Sequence, residues 1–252
     1  HANKSGASMA APHVAGAAAV VWSMHPTWSA SQVRERLENT AKRLPSSELL
    51  GAGRLDLFEA VFNGSFEIGD LSEWEVAGTV SSFKDLRNPE DLDEPGELDE
   101  LGDLEPRHGN RMGYASTGPA GDQVAASLTK SFAVQEGVTS IPIFFWYNFI
   151  TEEYPEWVGT IFDDKLRITL TAPDGTEHLL VLETVNTSSF SLLEGLPLSG
   201  ADGTVGHTGW KEAICTIPVT AGAGEYKIKI EDRGDDIFDS VVLIDNISLK
   251  HP

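Results

Sequence analysis

Cysteine is almost missing from this chain: Cys215 is the only one in 252 residues. No internal disulfide can close, and cysteine usage does not reveal the redox compartment. Positive charge is scarce too. Eighteen Lys and Arg stand against 39 Asp and Glu, a formal net charge of −21, and nucleic acid or an anionic membrane surface would repel such a chain. Long apolar runs are also lacking. The longest, around Val14–Trp22 and Ile141–Phe145, fall well short of the roughly 18 residues of a membrane-spanning helix. The chain opens on His1 with neither an initiator Met nor a signal peptide, so the expectation is the back half of something longer. What is present, 40% hydrophobic residues with 24 Gly and 13 Pro, is enough to build one large core or two ordinary ones.

Three textures follow one another. Residues 1–61 are small, Ala-rich and helix-like, whereas residues 62–252 carry short alternating or β-branched runs between Gly, Pro and Asp turns, an all-β pattern. Within the second part, Asp85–Glu105 is an acidic insert with ten carboxylates and one Arg, read as a solvated loop. A first helix is expected from Ser8 to about Met24, with Pro12 in its first turn. It is apolar all round, which predicts burial inside a larger domain. Ser29 with Gln32 reads as a capping box opening a second helix. There Val33, Leu37, Ala41 and Leu44 recur at helical spacing, while Arg34, Arg36, Glu38 and Lys42 face water. A short helix over Asp56–Val61 follows.

The most specific stretch is Gly6-Ala7-Ser8-Met9-Ala10-Ala11-Pro12-His13-Val14-Ala15-Gly16. It puts a serine hydroxyl at the amino end of a helix, where the dipole and free N–H groups favour negative charge. Acyl transfer needs that environment for an attacking oxygen and the oxyanion that follows. Serine is equally a common N-cap, and the residues alone leave both readings open. The stretch resembles the serine motif of subtilisin-like proteases, G-T-S-M-A-x-P-H-V-A-G, at ten of eleven positions, with Ala7 in place of the usual Thr. His25-Pro26-Thr27-Trp28 and Gly51–Asp56 continue the resemblance. It implies that Ser8 is the nucleophile, that its backbone N–H helps to hold the oxyanion, and that His13 is a structural histidine and not the general base. The family's catalytic Asp, catalytic His and oxyanion Asn precede the serine, so this fragment alone is expected to be inert.

Asn63-Gly64-Ser65-Phe66-Glu67-Ile68-Gly69-Asp70 with Trp74 resembles the start of jelly-roll modules found behind secreted bacterial enzymes, many of them carbohydrate-binding. Glu152-Glu153-Tyr154-Pro155-Glu156-Trp157-Val158-Gly159 with Asp163-Asp164 resembles a signature of adhesin-like and anchoring domains. Strands are expected at Phe66–Ile68, Trp74–Val80, Ala125–Phe132, Ser140–Phe149, Lys165–Thr171, His178–Val185, Lys211–Pro218, Gly224–Asp232 and Ser240–Leu249. The fold class expected is therefore a mainly β jelly-roll sandwich, preceded by the C-terminal helices of an α/β subtilisin-like domain.

Alternation puts Asp245 on one face with Leu243, Ile247 and Leu249, and Asp164 on one face with Leu166, Ile168 and Leu170. A carboxylate in register with apolar residues is paired, hydrogen-bonded or metal-bound when buried. Oxygen-only donors suit calcium, and the jelly-roll resemblance implies a structural calcium between first and last strands, at Glu67 and Asp245. Glu152, Glu153, Asp163, Asp164, Asp235, Asp236 and Asp239 are further donors near loop ends. The bland alternative is that these carboxylates are solvated or paired with Lys and Arg. Trp146, Tyr147, Tyr154 and Trp157 are either a sugar platform or sandwich core.

Taken together, the sequence reads as the C-terminal portion of a secreted subtilisin-like serine endopeptidase that acts on protein or peptide substrates. The β module would meet a polysaccharide or cell-surface ligand. The alternative is a calcium-dependent binding or adhesion module that carries a degenerate protease remnant.

Overall fold

The computed structural model describes residues 6–42, 51–83, 104–118, 125–193, 198, 204–234 and 238–249. Leu44, residues 85–103 of the acidic insert, Asp235 and Asp236 lie outside them. The chain divides into two compact units, His1–Ile68 and Gly69–Pro252. The start of the jelly-roll-like motif, Asn63–Ile68, thus falls in the first unit.

Among the described residues the first unit holds three helices. Helix α1 (Ala7–Met24) begins at Gly6, which sits at φ 141°. Helix α2 (Ala30–Asn39) has the expected box, the Ser29 hydroxyl and the Gln32 side chain each taking the other's backbone N–H. Helix α3 (Leu57–Phe62) is capped by the Asp56 carboxylate. Ala17 and Val21 of α1, Val33 and Leu37 of α2 and Ala60 of α3 form a small core. Two expectations fail here. Helix α2 stops before Ala41, because Lys42 leaves it to exchange two backbone hydrogen bonds with Arg54, at 2.8 and 2.9 Å. Arg36 does not face water: α3 covers it, and its Nε donates to the Ala60 carbonyl at 2.7 Å.

Helix α1 is only partly covered within its unit. Met9, Val14, Val20, Trp22 and Met24 are each 41–46% exposed. A cleft of about 380 Å³ between α1 and α2 is lined by Val14, Ala18, Trp22, Val33 and Leu37.

The strand expected at Phe66–Ile68 is not formed. Asn63 ends α3 in the left-handed region at φ 52°, and Phe66, fully buried, sits there as well at φ 61°. An extended strand needs negative φ at Phe66. The Ser65 N–H is instead donated to Glu59 Oε1 at 2.7 Å. Burial pushes the Glu59 carboxyl up to about 7, against the opposing pull of the Ser65 N–H and helped by Asp56 and Glu67. The folded unit therefore keeps a proton that the unfolded chain releases near 4.5. Stability of these helices is full below that value and falls by about 3 kcal/mol as pH rises through 7. A carboxyl ¹³C titration of Glu59 should show a midpoint near 7, and Glu59→Gln should flatten the pH dependence. A midpoint in the ordinary carboxylate range would refute this.

The second unit is a β-sandwich of the expected jelly-roll class. A five-stranded sheet contains β1 (Glu75–Ala77), β4 (Ala125–Val134), β11 (Gly224–Arg233), β6 (Lys165–Thr171) and β7 (Glu177–Thr184), in that order. A seven-stranded sheet runs β2 (Thr79–Phe83), β3 (Met112–Ser116), β12 (Ser240–Ser248), β5 (Ser140–Thr151), β9 (Gly206–His207), β8 (Ser191–Leu192), with β10 (Lys211–Pro218) also paired to β5. Among the described residues all the pairings are antiparallel. The single strand expected at Trp74–Val80 is two. Gly78, at φ 74°, turns the chain from one sheet into the other.

Leu128, Ile228, Ile230, Leu166 and Ile168 on one sheet face Phe145, Phe149, Val242 and Ile244 on the other, and all are fully buried. The outer face of the seven-stranded sheet carries a second apolar layer of Met112, Ile150, Val241 and Leu243 under Leu193 and Val205. Leu104, from the end of the acidic insert, also lies in this layer and is 1% exposed. The insert is thus not solvated to its last residues, because this apolar layer buries Leu104.

Candidate functional site

Two places carry chemistry, one in each unit. In the first, Gly6 is the N-cap of α1 and its carbonyl accepts from Met9 N–H at 2.9 Å and Ala10 N–H at 3.2 Å. Ser8 is therefore inside the first turn, exposed, with its hydroxyl not used as the cap. The structure thus sets aside the N-cap reading of Ser8. The first N–H groups of a helix have no carbonyl one turn behind them within the helix, so this hydroxyl sits in a positive end-field. His13 is one turn further on, exposed, with Nδ1 2.8 Å from the Met9 carbonyl. A carbonyl only accepts, so Nδ1 carries the proton and the ring is tied to its own helix. Among the described residues no side chain hydrogen-bonds to the Ser8 hydroxyl.

In the second unit the inner faces of the two sheets end in polar residues. On β11, Asp232 continues the inward series Tyr226, Ile228, Ile230. Asp164 precedes β6 in the inward register of Leu166 and Ile168. On the facing sheet Thr151 ends β5, Ser240 opens β12 and Thr117 follows β3, and all of them are buried. Glu153 bonds across to Asp164 in this layer and is 0% exposed, and Glu152 and Asp239, beside Thr151 and Ser240 in the chain, are 5% and 3% exposed.

The bonds are specific. Asp232 Oδ1 accepts the Ser240 hydroxyl at 2.9 Å. Ser240 N–H donates to Thr117 Oγ1 at 2.9 Å. Glu153 Oε2 accepts Asp164 N–H at 2.9 Å, and Glu152 Oε2 accepts Asp239 N–H at 3.1 Å. Burial pushes the Asp232 carboxyl well above the usual range; the Ser240 and Thr117 donors oppose this, and the neighbouring Asp239 charge reinforces it. Burial likewise raises Glu152, against the Asp239 N–H.

The other expected carboxylates are placed differently. Asp163 is half-buried, accepts Asn186 N–H at 2.9 Å and lies 3.6 Å from Lys165 Nζ. Asp245 is fully buried on the outer face of β12, where its oxygens accept His108 N–H at 2.7 Å and Asn246 N–H at 2.6 Å. A bulge after Asp245, with Asn246 at φ 51°, resets the alternation. Ile247 is therefore not on the face of Leu243 and Asp245, as a regular strand would have it. Glu67 is half-buried and belongs to the first unit. Among the described residues no group of three or more His, Cys, Asp or Glu is arranged to hold a metal ion.

The four aromatics do not share one surface. Tyr147 points inward and donates to Glu183 Oε1 at 2.8 Å, whereas Trp146 is on the opposite face beneath Arg107, 4.7 Å from its ring centre. Tyr154 stacks on Phe190 and Trp157 packs on Phe162 and Phe238. Tyr154 depends on Gly206, where a Cβ would lie 2.5–2.7 Å from the Tyr154 side chain. Gly206→Ala should displace that ring and cost about 1–3 kcal/mol. Urea unfolding measures this, and an unchanged midpoint would show that the ring moves freely.

Asp232 escaped the sequence reading, although Tyr226, Ile228 and Ile230 at spacing two already marked its face. Ser240 and Thr117 gave no signal, because their nearness to Asp232 depends on strands far apart in the chain.

Residues 1–57 match the subtilase family, peptidase S8. Over 52 residues the chain is 58% identical to subtilisin of Bacillus pumilus, covering 21% of this chain and 19% of that protein. It is 56% identical over 52 residues to subtilisin E of Bacillus subtilis (strain 168), 21% of this chain and 14% of that protein. The chain thus spans about a fifth or less of the length of the curated relatives it matches. Among solved structures, it is similar to the carbohydrate-binding module TmCBM61 in complex with β-1,4-galactotriose, at TM-score 0.42 and 16% identity over 75% of this chain and 96% of that one. It is also similar to an adhesin domain of Lys-gingipain from Porphyromonas gingivalis W83, at TM-score 0.39 and 15% identity over 74% and 96%. Among the described residues no helix is long and apolar enough to cross a membrane.

Proposed function

We propose that this chain is the C-terminal portion of a secreted, extracellular or cell-surface serine endopeptidase of the subtilisin kind, joined to a β-sandwich accessory module. The observation that carries the reading is Ser8, free of any capping role in the first turn of α1, inside a stretch that matches the subtilase family. In the intact protease the Ser8 Oγ attacks the scissile carbonyl while a histidine takes its proton. The oxyanion is held in part by the Ser8 N–H, the amine leaves with the proton, and water then releases the acyl group. The histidine and its orienting aspartate come from the part of the relatives' length that this chain does not span. The exposed apolar side of α1 supports the same reading, since such a helix is stable when a larger domain covers it.

The β module serves to stabilise the enzyme or tether it to a polysaccharide or cell-surface ligand. Labelling of the intact protein with an active-site phosphonate tests the peptidase. Stoichiometric modification of Ser8 is expected, and a folded, mature protein that stays unlabelled would instead favour a binding module with a protease remnant.

A further inference from the structure

The peptidase reading makes no use of the polar end of the sandwich core. Asp232 is fully buried on the inward face of β11, and among the described residues only one of its oxygens is matched by a side chain. Its Oδ2, like Oε1 of the nearby buried Glu152, has no hydrogen-bond partner among the described residues. A carboxylate oxygen left so in a protein interior needs a cation or a proton beside it. The surroundings are oxygen-rich. The Ser240 hydroxyl is 2.9 Å from Asp232 Oδ1, and the Thr117 hydroxyl accepts the Ser240 N–H. Asp239 directly precedes Ser240 and is itself buried. Gly234 keeps space open, since a Cβ there would lie 3.0 Å from both Asp164 Oδ1 and Thr117 Cγ2.

We propose that this end of the sandwich is a calcium site centred on Asp232, with Asp239 and the hydroxyls of Ser240 and Thr117 as its neighbouring oxygens. It is a different place from Glu67 and Asp245. Among the described residues no three carboxylates are arranged as a closed cage there. Two carboxylates with hydroxyls, completed by backbone carbonyls and water, suit the six to eight oxygens and loose geometry of calcium. They do not suit the strict octahedron of magnesium or the nitrogen and sulfur ligands of zinc. Bound here, the ion would tie the end of β11 to the start of β12 and so join the two sheets.

The test is calorimetric titration of the EDTA-treated full chain with CaCl₂ at neutral pH, together with thermal unfolding with and without calcium. One tightly bound ion is expected, with a rise of several degrees in the melting temperature of the sandwich. Asp232→Asn should weaken binding at least about tenfold and remove that rise. It also removes a buried charge, so it should melt at or above the calcium-free wild type, which separates lost binding from lost folding. Should it not fold, Ser240→Ala leaves the carboxylates in place and should still weaken binding several-fold. A wild-type melting temperature unmoved by calcium would overturn the proposal and leave a proton as the partner of Asp232. Calcium binding unaffected by either substitution would also overturn it, and would place the ion elsewhere, as on the acidic insert.

Discussion

If the proposed peptidase reading holds, Ser8→Ala in the intact protein is expected to abolish peptide hydrolysis, with kcat falling about 10⁶-fold, the size of loss known for the nucleophile of subtilisin. KM should change little, because the hydroxyl makes its bond in the transition state and contributes little to holding the substrate. The fold should be unaffected. Ser8 is exposed, its hydroxyl takes no part in capping α1, and alanine is the better helix former. Steady-state hydrolysis of a chromogenic peptide, with near-identical circular dichroism for the two proteins, measures the effect. A loss of less than about a hundredfold would assign the nucleophile to another residue. The 252-residue chain on its own is expected to be inactive, since a serine hydroxyl without an adjacent base is a poor nucleophile at neutral pH.

The largest effect on stability is expected from Phe149→Ala. Phe149 is fully buried on the inner face of β5, opposite Val242 of β12. Its ring meets Phe190 edge-on at 5.9 Å, and Phe190 stacks on Tyr154 at 5.3 Å. Removing it leaves a cavity that the two paired strands cannot close, at a cost of about 3–5 kcal/mol. For a sandwich of this size that lowers the melting temperature by about 10 °C. Scanning calorimetry of wild type and variant decides it, and a fall of only a degree or two would mean that Phe190 or a neighbour collapses into the gap. By contrast, Ile161, 92% exposed in the loop between β5 and β6, should tolerate alanine almost without cost.

Local signals were well preserved in the sequence wherever the chain alone decides the outcome. The Ser29–Gln32 capping box formed as read. Strands β6 and β10 have the expected ends, because their residue types and flanking turns leave little choice of register. The failures share a cause. Arg36 is charged and sits among polar neighbours, yet α3 folds over it and offers the Ala60 carbonyl. Phe66–Ile68 has strand-like residues, but Glu59 captures the Ser65 N–H and the chain turns through a left-handed Phe66. Leu104 belongs to an acidic run, and an apolar layer made by β3, β5 and β12 buries it nonetheless. In each case the deciding contact comes from another segment, and no pattern within the residue's own window announces it.

The sequence by itself determined the serine motif, the helices around it, the all-β character of the second unit and the marking of Asp164 as a carboxylate on an apolar face. These depend on residue type and on periods of two or 3.6, which a linear reading preserves. Only the tertiary structure decided that Gly6 and not Ser8 caps α1, that Asp245 is tied up by backbone N–H groups, and that Asp232, Ser240 and Thr117 meet at one end of the core. The reason is geometric. Thr117 and Ser240 are 123 positions apart in the chain, and only the antiparallel pairing of β3 with β12, under a second sheet carrying Asp232, brings their oxygens to the same place.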